Sequence, residues 1–348
     1  MQTRVQKAIQ QAVALRKQPN SIPWKDDEPW PQPFYSWDTE EETWQPVSAN
    51  SSSHESVSTS IDTLALYSWN IDLMLPVPES RMNTALAHLE KLFDQLPSVS
   101  TTAVVINLQE CIPSDLVTIG RQAWVRDRFY MTDTDATNWA SAAYGTTTLI
   151  DRRLDVVSCF RVHYSHTQME RDALFVDIVL PTGKDTRAQK LRLGNSHLES
   201  LVSEPPLRPS QVRVMGSYMR ESGVCSAIAA GDFNAIQPFD RLLHSENGLK
   251  DAYLEVGGQE DSEKGYTWGQ QALRAQREQF GCSRMDKIFF CGSGLQLQSF
   301  ERFGADVELD QDKRDQRAQL LSLGFEKAWI TDHLGVRAIF KLENTHRL

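Results

Sequence analysis

The feature that most constrains this chain is a series of apolar, strand-like runs that each end in a polar residue. The run from Ser226 to Ala230 leads into Gly-Asp-Phe-Asn, which sets the carboxylate of Asp232 and the amide of Asn234 two residues apart at a strand end. Four other apolar runs end in residues that can bind a metal or move a proton: Asn70, Glu110, His197 and the pair Asp332-His333. Strand ends that meet at one edge of a sheet form a cleft, so this pattern predicts an active site.

The order of segments along the chain predicts the fold class. Residues 64–71 and 103–108 read as strands, and the helix between them, residues 81–96, carries apolar residues at helical spacing. Four β-type runs follow between residues 144 and 196 without a helix, which predicts an antiparallel meander. We therefore expect an α/β (α+β) fold, a four-layer α/β/β/α sandwich of two mixed β-sheets flanked by helices.

The first sixty residues differ in composition from the rest of the chain. Residues 19–46 are rich in Pro, Trp and acidic residues, and residues 49–56 form a polar, Ser-rich tract typical of a linker. We expect residues 1–60 to be an N-terminal extension and linker, and residues 61–348 to be the catalytic domain. Because tryptophans seldom remain solvated, we favour packing on the domain surface over the alternative, binding of a protein partner.

The charge of the chain limits the classes of partner. A net charge of −10, from 36 basic and 46 acidic residues, argues against a protein that coats nucleic acid non-specifically. It leaves open an enzyme that binds the 5′ end of a nucleic acid through a local basic patch. The sequence contains no apolar stretch long enough to span a membrane. Five scattered cysteines without a CxxC pair indicate buried, reduced thiols, so we expect an intracellular protein.

The polar strand ends share a preference for hard cations. They supply oxygen donors without cysteine, and Asp286 adds a further carboxylate, which fits Mg²⁺ or Mn²⁺ better than zinc or copper. A divalent ion among carboxylates suits phosphoryl chemistry because it neutralises phosphate oxygens, while imidazole and amide groups share the developing charge. Each residue alone has an ordinary structural explanation, whereas the joint set favours an active site.

Six short motifs in this order resemble the endonuclease/exonuclease/phosphatase superfamily. They are Trp-Asn at 69–70, Gln-Glu at 109–110, Ser-His-Leu-Glu-Ser at 196–200, Gly-Asp-Phe-Asn at 231–234, Arg-Met-Asp at 284–286 and Thr-Asp-His at 331–333. Together with Tyr-Thr-Trp at 266–268, they are most similar to the tyrosyl-DNA phosphodiesterase 2 branch. The resemblance implies a Mg²⁺-dependent phosphodiesterase of DNA repair, acting in the nucleus or the cytoplasm.

The resemblance also implies a role for each motif residue. Glu110 would bind the metal with Asn70 beside it, and Asp332 would be a further carboxylate near the ion or a ligand of a second one. Asp232 would orient or deprotonate the attacking water. The other implied catalytic residues are Asn234, which would position the phosphate, His197 and His333, which would stabilise the transition state, Asp286, which would hold His333 in its tautomer, and Tyr144, near the scissile phosphate.

The resemblance leaves the substrate open. Substrate contacts are expected at Ser200, Arg208 and Trp268. Arg208 or Arg213 would compensate for an arginine that the branch carries in place of Val202. Trp268 would stack on a base or line the substrate slot, and the alternative for it is core packing. The first expectation is a blocked 5′ DNA end, such as a 5′-phosphotyrosyl adduct. The alternatives are abasic DNA, an RNA tail, an inositol phosphate, or a non-catalytic scaffold whose aromatic N-terminus binds a partner.

Overall fold

The computed structural model describes residues 4–18, 21–47, 61–96, 98–180 and 189–342. Its strands are β1 Pro29–Pro31, β2 Phe34–Asp38, β3 Thr43–Val47, β4 Thr63–Asn70, β5 Thr102–Cys111, β6 Phe129–Met131, β7 Gly145–Asp151, β8 Asp155–His163, β9 Asp172–Leu180, β10 Gln189–Ser196, β11 Val224–Asp232, β12 Lys250–Asp251, β13 Asp286–Gly292, β14 Leu295–Phe303 and β15 Gly335–Leu342. Its helices are α1 Arg4–Ala14, α2 Pro78–Asp94, α3 Pro113–Gly120, α4 Ala123–Arg128, α5 Arg208–Met219, α6 Leu243–Glu246, α7 Ala252–Glu255, α8 Arg274–Phe280 and α9 Arg314–Ser322.

The strands form two mixed sheets. One has the order β1-β8-β9-β10-β11-β13-β12, and the other has the order β14-β15-β4-β5-β7-β6-β2-β3. In each sheet one central pair is parallel, β10 with β11 and β4 with β5, while their outer neighbours run antiparallel. Parallel strands end at the same sheet edge, and an antiparallel neighbour begins there. In each sheet, four strands therefore have an end at the same edge region.

Alternation of side chains along the central strands builds the layers. In β4, Leu64 and Leu66 face a core between the two sheets, whereas Tyr67 and Trp69 face the core under α2. In β11, Ile228 faces the inter-sheet core, and its neighbours Ala227 and Ala229 pack in the core under α5. The predicted four-layer sandwich of two mixed sheets flanked by helices is confirmed.

The predicted meander is correct for three of its four strands. The hairpins β8-β9 and β9-β10 are antiparallel, but β7 belongs to the other sheet, where Ile150 pairs with Val105. The turn after β7 carries the chain across because Arg153 binds both the carboxylate of Asp151 and the carbonyl of Thr102. These contacts tie the turn to the sheet that contains β5, and β8 then starts the second sheet.

Buried amides connect the two sheets beneath the edge where the polar strand ends lie. Gln109 Nε2 donates to Asn195 Oδ1 at 2.9 Å and to Ser68 Oγ at 3.0 Å. Asn195 Nδ2 donates in turn to the carbonyl of Thr147 at 2.9 Å. Because unpaired buried amides are costly, these bonds fix the relative position of β5 and β10.

Residues 21–47 pack into the sheets that follow them in sequence. Strand β1 extends one sheet by pairing with β8, and β2 and β3 extend the other through β6. Trp24 stacks on His163 with ring centroids 3.9 Å apart, and Trp44 packs against the core under α2. The predicted linker, residues 49–56, lies outside the described residues, and the domain boundary near residue 60 stays a prediction.

Two smaller expectations concern membranes and cysteines. Within the described ranges, every helix is too short or too polar to cross a bilayer. The five cysteines are free; Cys111 and Cys159 are buried as expected, whereas Cys225 is exposed and Cys282 and Cys291 are half-buried. Burial of all five was therefore wrong, because β11 carries Cys225 near its solvent-facing start.

Candidate active site

The carboxylate of Asp232 lies where the predicted strand ends meet. Its Oδ2 accepts a hydrogen bond from Asn70 Nδ2 at 2.9 Å, and its Oδ1 accepts one from the backbone N–H of Asn234, also at 2.9 Å. The Nε2 atoms of His197 and His333 lie 3.4 and 3.6 Å from Oδ2. The side chain is buried, so all of these partners act on it without intervening bulk solvent.

The surroundings of Asp232 keep it ionised. Burial alone would raise its pKa, but the charge of His333 and the nearby ring of His197 together lower the pKa well below the ordinary value for aspartate. A carboxylate with this pKa is a constant negative charge and a constant hydrogen-bond acceptor over the physiological range.

A bulge in β5 aims Glu110 at the same point. The β5–β7 register shifts between Leu108 and Cys111, and Glu110 takes a φ of 59°, in the left-handed region. Bulges of this kind redirect a side chain at a strand end, and non-glycine residues hold positive φ where the surroundings impose it. Glu110 Oε2 accepts from the N–H of Leu73 at 2.8 Å, and Oε1 accepts from Asn70 Nδ2 at 3.3 Å.

Asn70 connects the two carboxylates rather than offering its own oxygen. Its Nδ2 faces Glu110 and Asp232, while its Oδ1 accepts the N–H of Asp72 at 2.9 Å. The structure therefore does not support the predicted ligand role of Asn70 in this orientation. Its amide instead donates to both Glu110 and Asp232 and so holds the two carboxylates close together. Without this donor, the repulsion between the two negative charges would oppose their approach.

His333 enters the site from the start of a strand. The Thr-Asp-His segment was expected at a strand end, but it is a loop that leads into β15. It reaches the same edge because β15 runs antiparallel to β4. Trp69 Nε1 donates to the carbonyl of His333 at 3.1 Å, and Thr331 Oγ1 donates to the carbonyl of Asn70 at 2.8 Å, so the loop is fastened to β4.

Asp286 holds one ring nitrogen of His333. It begins β13, which is antiparallel to β11, and its Oδ2 lies 2.8 Å from His333 Nδ1. Burial opposes a charge on the imidazole, but Asp286 and then Asp232 raise the pKa of His333 well above its ordinary value. Burial also raises the pKa of Asp286 to about 6, against the opposing effect of His333. At neutral pH this pair is a carboxylate and an imidazolium whose Nε2–H faces the site.

His197 differs from His333 in charge. Arg171 Nη1 contacts its Nδ1, and burial followed by this guanidinium lowers the pKa of His197. Because an arginine can only donate, Nδ1 is the acceptor and the proton of the neutral ring sits on Nε2. Nε2 points towards Glu110 Oε1 and Asp232 Oδ2, at 3.9 and 3.4 Å. The site thus contains one cationic and one neutral imidazole donor.

Tyr144 and Asn234 lie close to this centre but have other bonds. Tyr144 O–H donates to the carbonyl of Met169 at 2.5 Å, and burial raises its pKa to about 12. The Arg171 guanidinium lies over the Tyr144 ring, 5.3 Å from its centroid. Asn234 has a φ of 47° and donates Nδ2 to the carbonyl of Leu198 at 3.0 Å. Their predicted roles at the phosphate stay predictions.

Several residues that were predicted to bind substrate or metal make hydrogen bonds within the protein instead. Arg208 is buried, pairs with both oxygens of Asp240 at 2.8 Å, and also donates to the carbonyls of Glu199 and Leu201. Its expected substrate contact is therefore wrong, because its donors are already used. Trp268 is buried and donates Nε1 to Asp332 Oδ2 at 2.9 Å.

The contact between Trp268 and Asp332 changes the role expected of each. Trp268 packs in a small core with Ala272 and Met285, which argues against base stacking. Asp332 keeps Oδ1 on the site side, 3.9 Å from His333 Nε2. Ser200 Oγ accepts from Arg171 Nη2 at 3.1 Å, which joins it to His197 through one guanidinium.

The sequence reading missed Arg171 and the role of Glu199. Glu199 is buried and accepts from Thr167 Oγ1 at 2.8 Å and from the N–H of Gln168 at 3.0 Å. It therefore fixes the loop that presents Arg171 to His197. The predicted antiparallel pairing of β9 with β10 could have revealed Arg171. In such a hairpin, a residue just before β9 lies opposite the residues that follow β10.

The carboxylates of the site suit a hard cation. Among the described residues, ligand atoms of Asp232, Asp286 and His333 lie within 4.8 Å of one another, and Asp286 Oδ1 is buried without a hydrogen-bond partner. His333 is a poor ligand because its raised pKa keeps Nε2 protonated. Glu110 and Asp232, joined through Asn70, leave oxygen donors that fit Mg²⁺ or Mn²⁺.

One protein family matches most of the chain. The sequence profile described as the Endonuclease/Exonuclease/phosphatase family matches residues 67–333, a span that contains all six motifs. No curated protein sequence matches the chain.

Solved structures share the fold at low sequence identity. TDP2 (tyrosyl-DNA phosphodiesterase 2) of D. rerio, complexed with single-strand DNA product, is 20% identical with a TM-score of 0.58, covering 80% of this chain and 99% of that chain. Truncated TDP2 of Caenorhabditis elegans is 20% identical with a TM-score of 0.55, covering 81% and 99%. The human Nocturnin catalytic domain with bound sulfate is 15% identical with a TM-score of 0.52, covering 81% and 95%. The likeness establishes the fold.

Proposed function

Because this chain belongs to the endonuclease/exonuclease/phosphatase family, we propose that it is a Mg²⁺-dependent phosphodiesterase that acts on blocked 5′ DNA ends, such as 5′-phosphotyrosyl adducts. The family assignment supports phosphoester hydrolysis, and a D. rerio TDP2 was crystallised with single-strand DNA product. We also propose that the enzyme acts in the nucleus or the cytoplasm; fractionation of cells that express a tagged chain would test this.

The single observation that carries the proposal is the convergence on Asp232. Asn70, His197 and His333 come from three separate segments, yet their side-chain nitrogens lie 2.9, 3.4 and 3.6 Å from one oxygen of this carboxylate. Burying so many polar groups together costs stability, and such clusters are found mainly at functional sites.

In the proposed reaction Asp232 acts on the attacking water. Its low pKa keeps it ionised, so it orients the water by accepting a hydrogen bond. As the bond between water oxygen and phosphorus forms, the water becomes acidic and passes a proton to the carboxylate. The bond between phosphorus and the leaving oxygen breaks, and the leaving oxygen departs with the electron pair.

The two histidines stabilise the phosphate as charge builds on it. His333 donates from an imidazolium that Asp286 holds in place, and His197 donates from a neutral ring whose tautomer Arg171 sets. Fixed donors of this kind act strongly in a buried site because they do not reorganise during the reaction.

The metal supplies charge that these side chains do not. Mg²⁺ bound by Glu110, with oxygens of Asp232 or Asp332 nearby, would neutralise a phosphate oxygen and the leaving oxygen. Mn²⁺ would serve in the same way.

The test compares Asp232→Asn with the unmodified chain. Substrates are a 5′-tyrosyl oligonucleotide and methyl p-nitrophenyl phosphate, each with Mg²⁺ and with EDTA. We expect hydrolysis with Mg²⁺ only, and a loss of about 10²- to 10⁴-fold in kcat for the variant, because an amide cannot accept the proton. Equal activity of the variant, or hydrolysis in EDTA, would refute the mechanism. A panel with abasic DNA, an RNA tail and an inositol phosphate then ranks the substrates.

A further inference from the structure

Beside the candidate active site the chain exposes a group of apolar side chains, which we call the apolar rim: Leu201, Val202 and Ile236. Their side chains are 46%, 68% and 37% exposed. Leu201 directly follows Ser200, which is bonded to the guanidinium that contacts His197. Ile236 lies two residues beyond Asn234, whose N–H binds Asp232. Leu201, Val202 and Ile236 therefore each lie within two residues, along the chain, of a residue bonded within the site.

A buried ion pair fixes both loops of the rim. Arg208 donates to the carbonyl of Leu201 at 2.9 Å and to both oxygens of Asp240. Asp240 Oδ2 accepts the N–H of Ile236 at 3.0 Å. Leu201 itself holds a φ of 67°, a conformation that a leucine rarely adopts. A strained backbone and a buried ion pair thus hold the loops of the apolar rim in place, although the rim side chains remain exposed to solvent. This combination indicates a preorganised binding surface.

The charges around the rim exclude a binding site for further phosphates. Neither residues 201–207 nor residues 235–240 include Lys or Arg, and the first of these loops carries Glu204. The basic residues that end the two loops are already paired, Arg208 with Asp240 and Arg241 with Asp261 at 2.8 Å. A phosphate chain needs such cations, whereas an apolar group gains from covering exposed apolar surface.

We propose that the apolar rim binds an apolar organic group attached to the scissile phosphate, so that the substrate is a phosphodiester with one aromatic or long aliphatic substituent. This inference rests on the proposed phosphodiesterase function and narrows its substrate class. A tyrosyl group meets this description; an RNA strand or a multiply phosphorylated inositol does not.

The test measures competitive inhibition by two phosphate monoesters of similar length. Octyl phosphate, used below its critical micelle concentration, carries an apolar chain, and the phosphate of triethylene glycol monomethyl ether carries a polar one. A monoester can turn its single organic group towards the rim, so the comparison does not depend on which side of the diester leaves. The assay follows Mg²⁺-dependent hydrolysis of methyl p-nitrophenyl phosphate.

We expect octyl phosphate to bind about tenfold more tightly than the glycol phosphate, since burying several methylenes on a surface gives at least this factor. The double variant Val202→Ser/Ile236→Ser should bring the ratio of inhibition constants close to one. Val256→Ser, which changes an equally apolar side chain that is 44% exposed at the end of α7, should retain the ratio.

Two outcomes would overturn the proposal: equal inhibition by both monoesters, or an unchanged ratio of inhibition constants in the double variant. Failure of the phosphodiesterase function would appear differently, as the absence of Mg²⁺-dependent hydrolysis in the assay itself.

Discussion

Replacing Asp286 by Asn changes one charge in the site and leaves its shape. The Asp286 carboxylate lies 2.8 Å from His333 Nδ1, and both side chains are buried. An amide oxygen in the same place still accepts the Nδ1–H bond, so the ring keeps its orientation. The imidazolium, however, loses its strongest stabilising charge and retains Asp232 at 3.6 Å and Asp332 at 3.9 Å.

Two magnitudes follow from this geometry. Hydrogen bonds to charged groups contribute about 1.5–3 kcal/mol and neutral ones about 0.5–1.5 kcal/mol, so the variant loses about 1–2 kcal/mol of stabilisation of the cation. That loss corresponds to a fall of about 1 unit in the pKa of His333. A charge pair at 4 Å in an environment of effective dielectric constant 20 contributes about 4 kcal/mol, which sets the upper bound at about 3 units.

The assay is the dependence of kcat/KM on pH for methyl p-nitrophenyl phosphate at saturating Mg²⁺. The His333 cation exists below its folded-state pKa and is lost as pH rises through it, so the alkaline limb of the profile reports this group. We expect Asp286→Asn to move the alkaline limb down by about 1–3 pH units and to lower kcat/KM by about 5- to 30-fold on the plateau.

The control is Asp115→Asn, since Asp115 is a buried carboxylate outside the site that accepts the N–H of Ile112. It should leave the alkaline limb in place. A limb that stays fixed in Asp286→Asn, or that moves up, would show that His333 does not act as a cation held by Asp286.

The remaining predictions concern the metal and the packing of the N-terminal segment. Glu110→Gln should raise the Mg²⁺ concentration for half-maximal activity at least about tenfold, because a neutral amide is a weaker ligand than a carboxylate. The variant should also lose the Mg²⁺-induced rise in Tm. An unchanged Mg²⁺ titration would contradict this prediction. Burial, reinforced by Arg161, lowers the pKa of His163 to about 2, so below pH 6.5 the unfolded chain takes up a proton that the folded chain does not. The free energy of unfolding should therefore fall by about 2 kcal/mol between pH 7.5 and 5 through this group alone. Urea titrations at both pH values should show that His163→Phe lacks this decrease. An equal decrease in the variant and the unmodified chain would contradict the prediction.

The sequence predicted the fold well where apolar and polar side chains alternate, and it predicted the site well where strands end in polar residues. Apolar periodicity predicted α2 and the central strands because burial on one face imposes it. The polar strand ends predicted the site residues that the structure brings together around Asp232, since parallel strands finish at one edge. The resemblance to the family, predicted from six motifs, is confirmed.

The errors have a common physical cause, which is pairing between residues distant in sequence. Whether β7 joins β5 or β8 depends on contacts between residues as far apart in the sequence as Val105 and Ile150, and the local pattern does not contain such contacts. Arg208 looked free because its partner Asp240 lies on another loop. Arg171 was overlooked because it precedes a strand, and only the hairpin register brings it to His197.

The three strands described before residue 48 have a practical consequence for anyone who expresses this protein. They occupy the open side of β8 in one sheet and of β6 in the other. A shortened protein that starts at residue 61 would present both backbones with unsatisfied amides, ready to recruit strands from other molecules. Preparations of such a fragment should therefore precipitate or form oligomers, and low activity in them would say nothing about the chemistry of the intact chain.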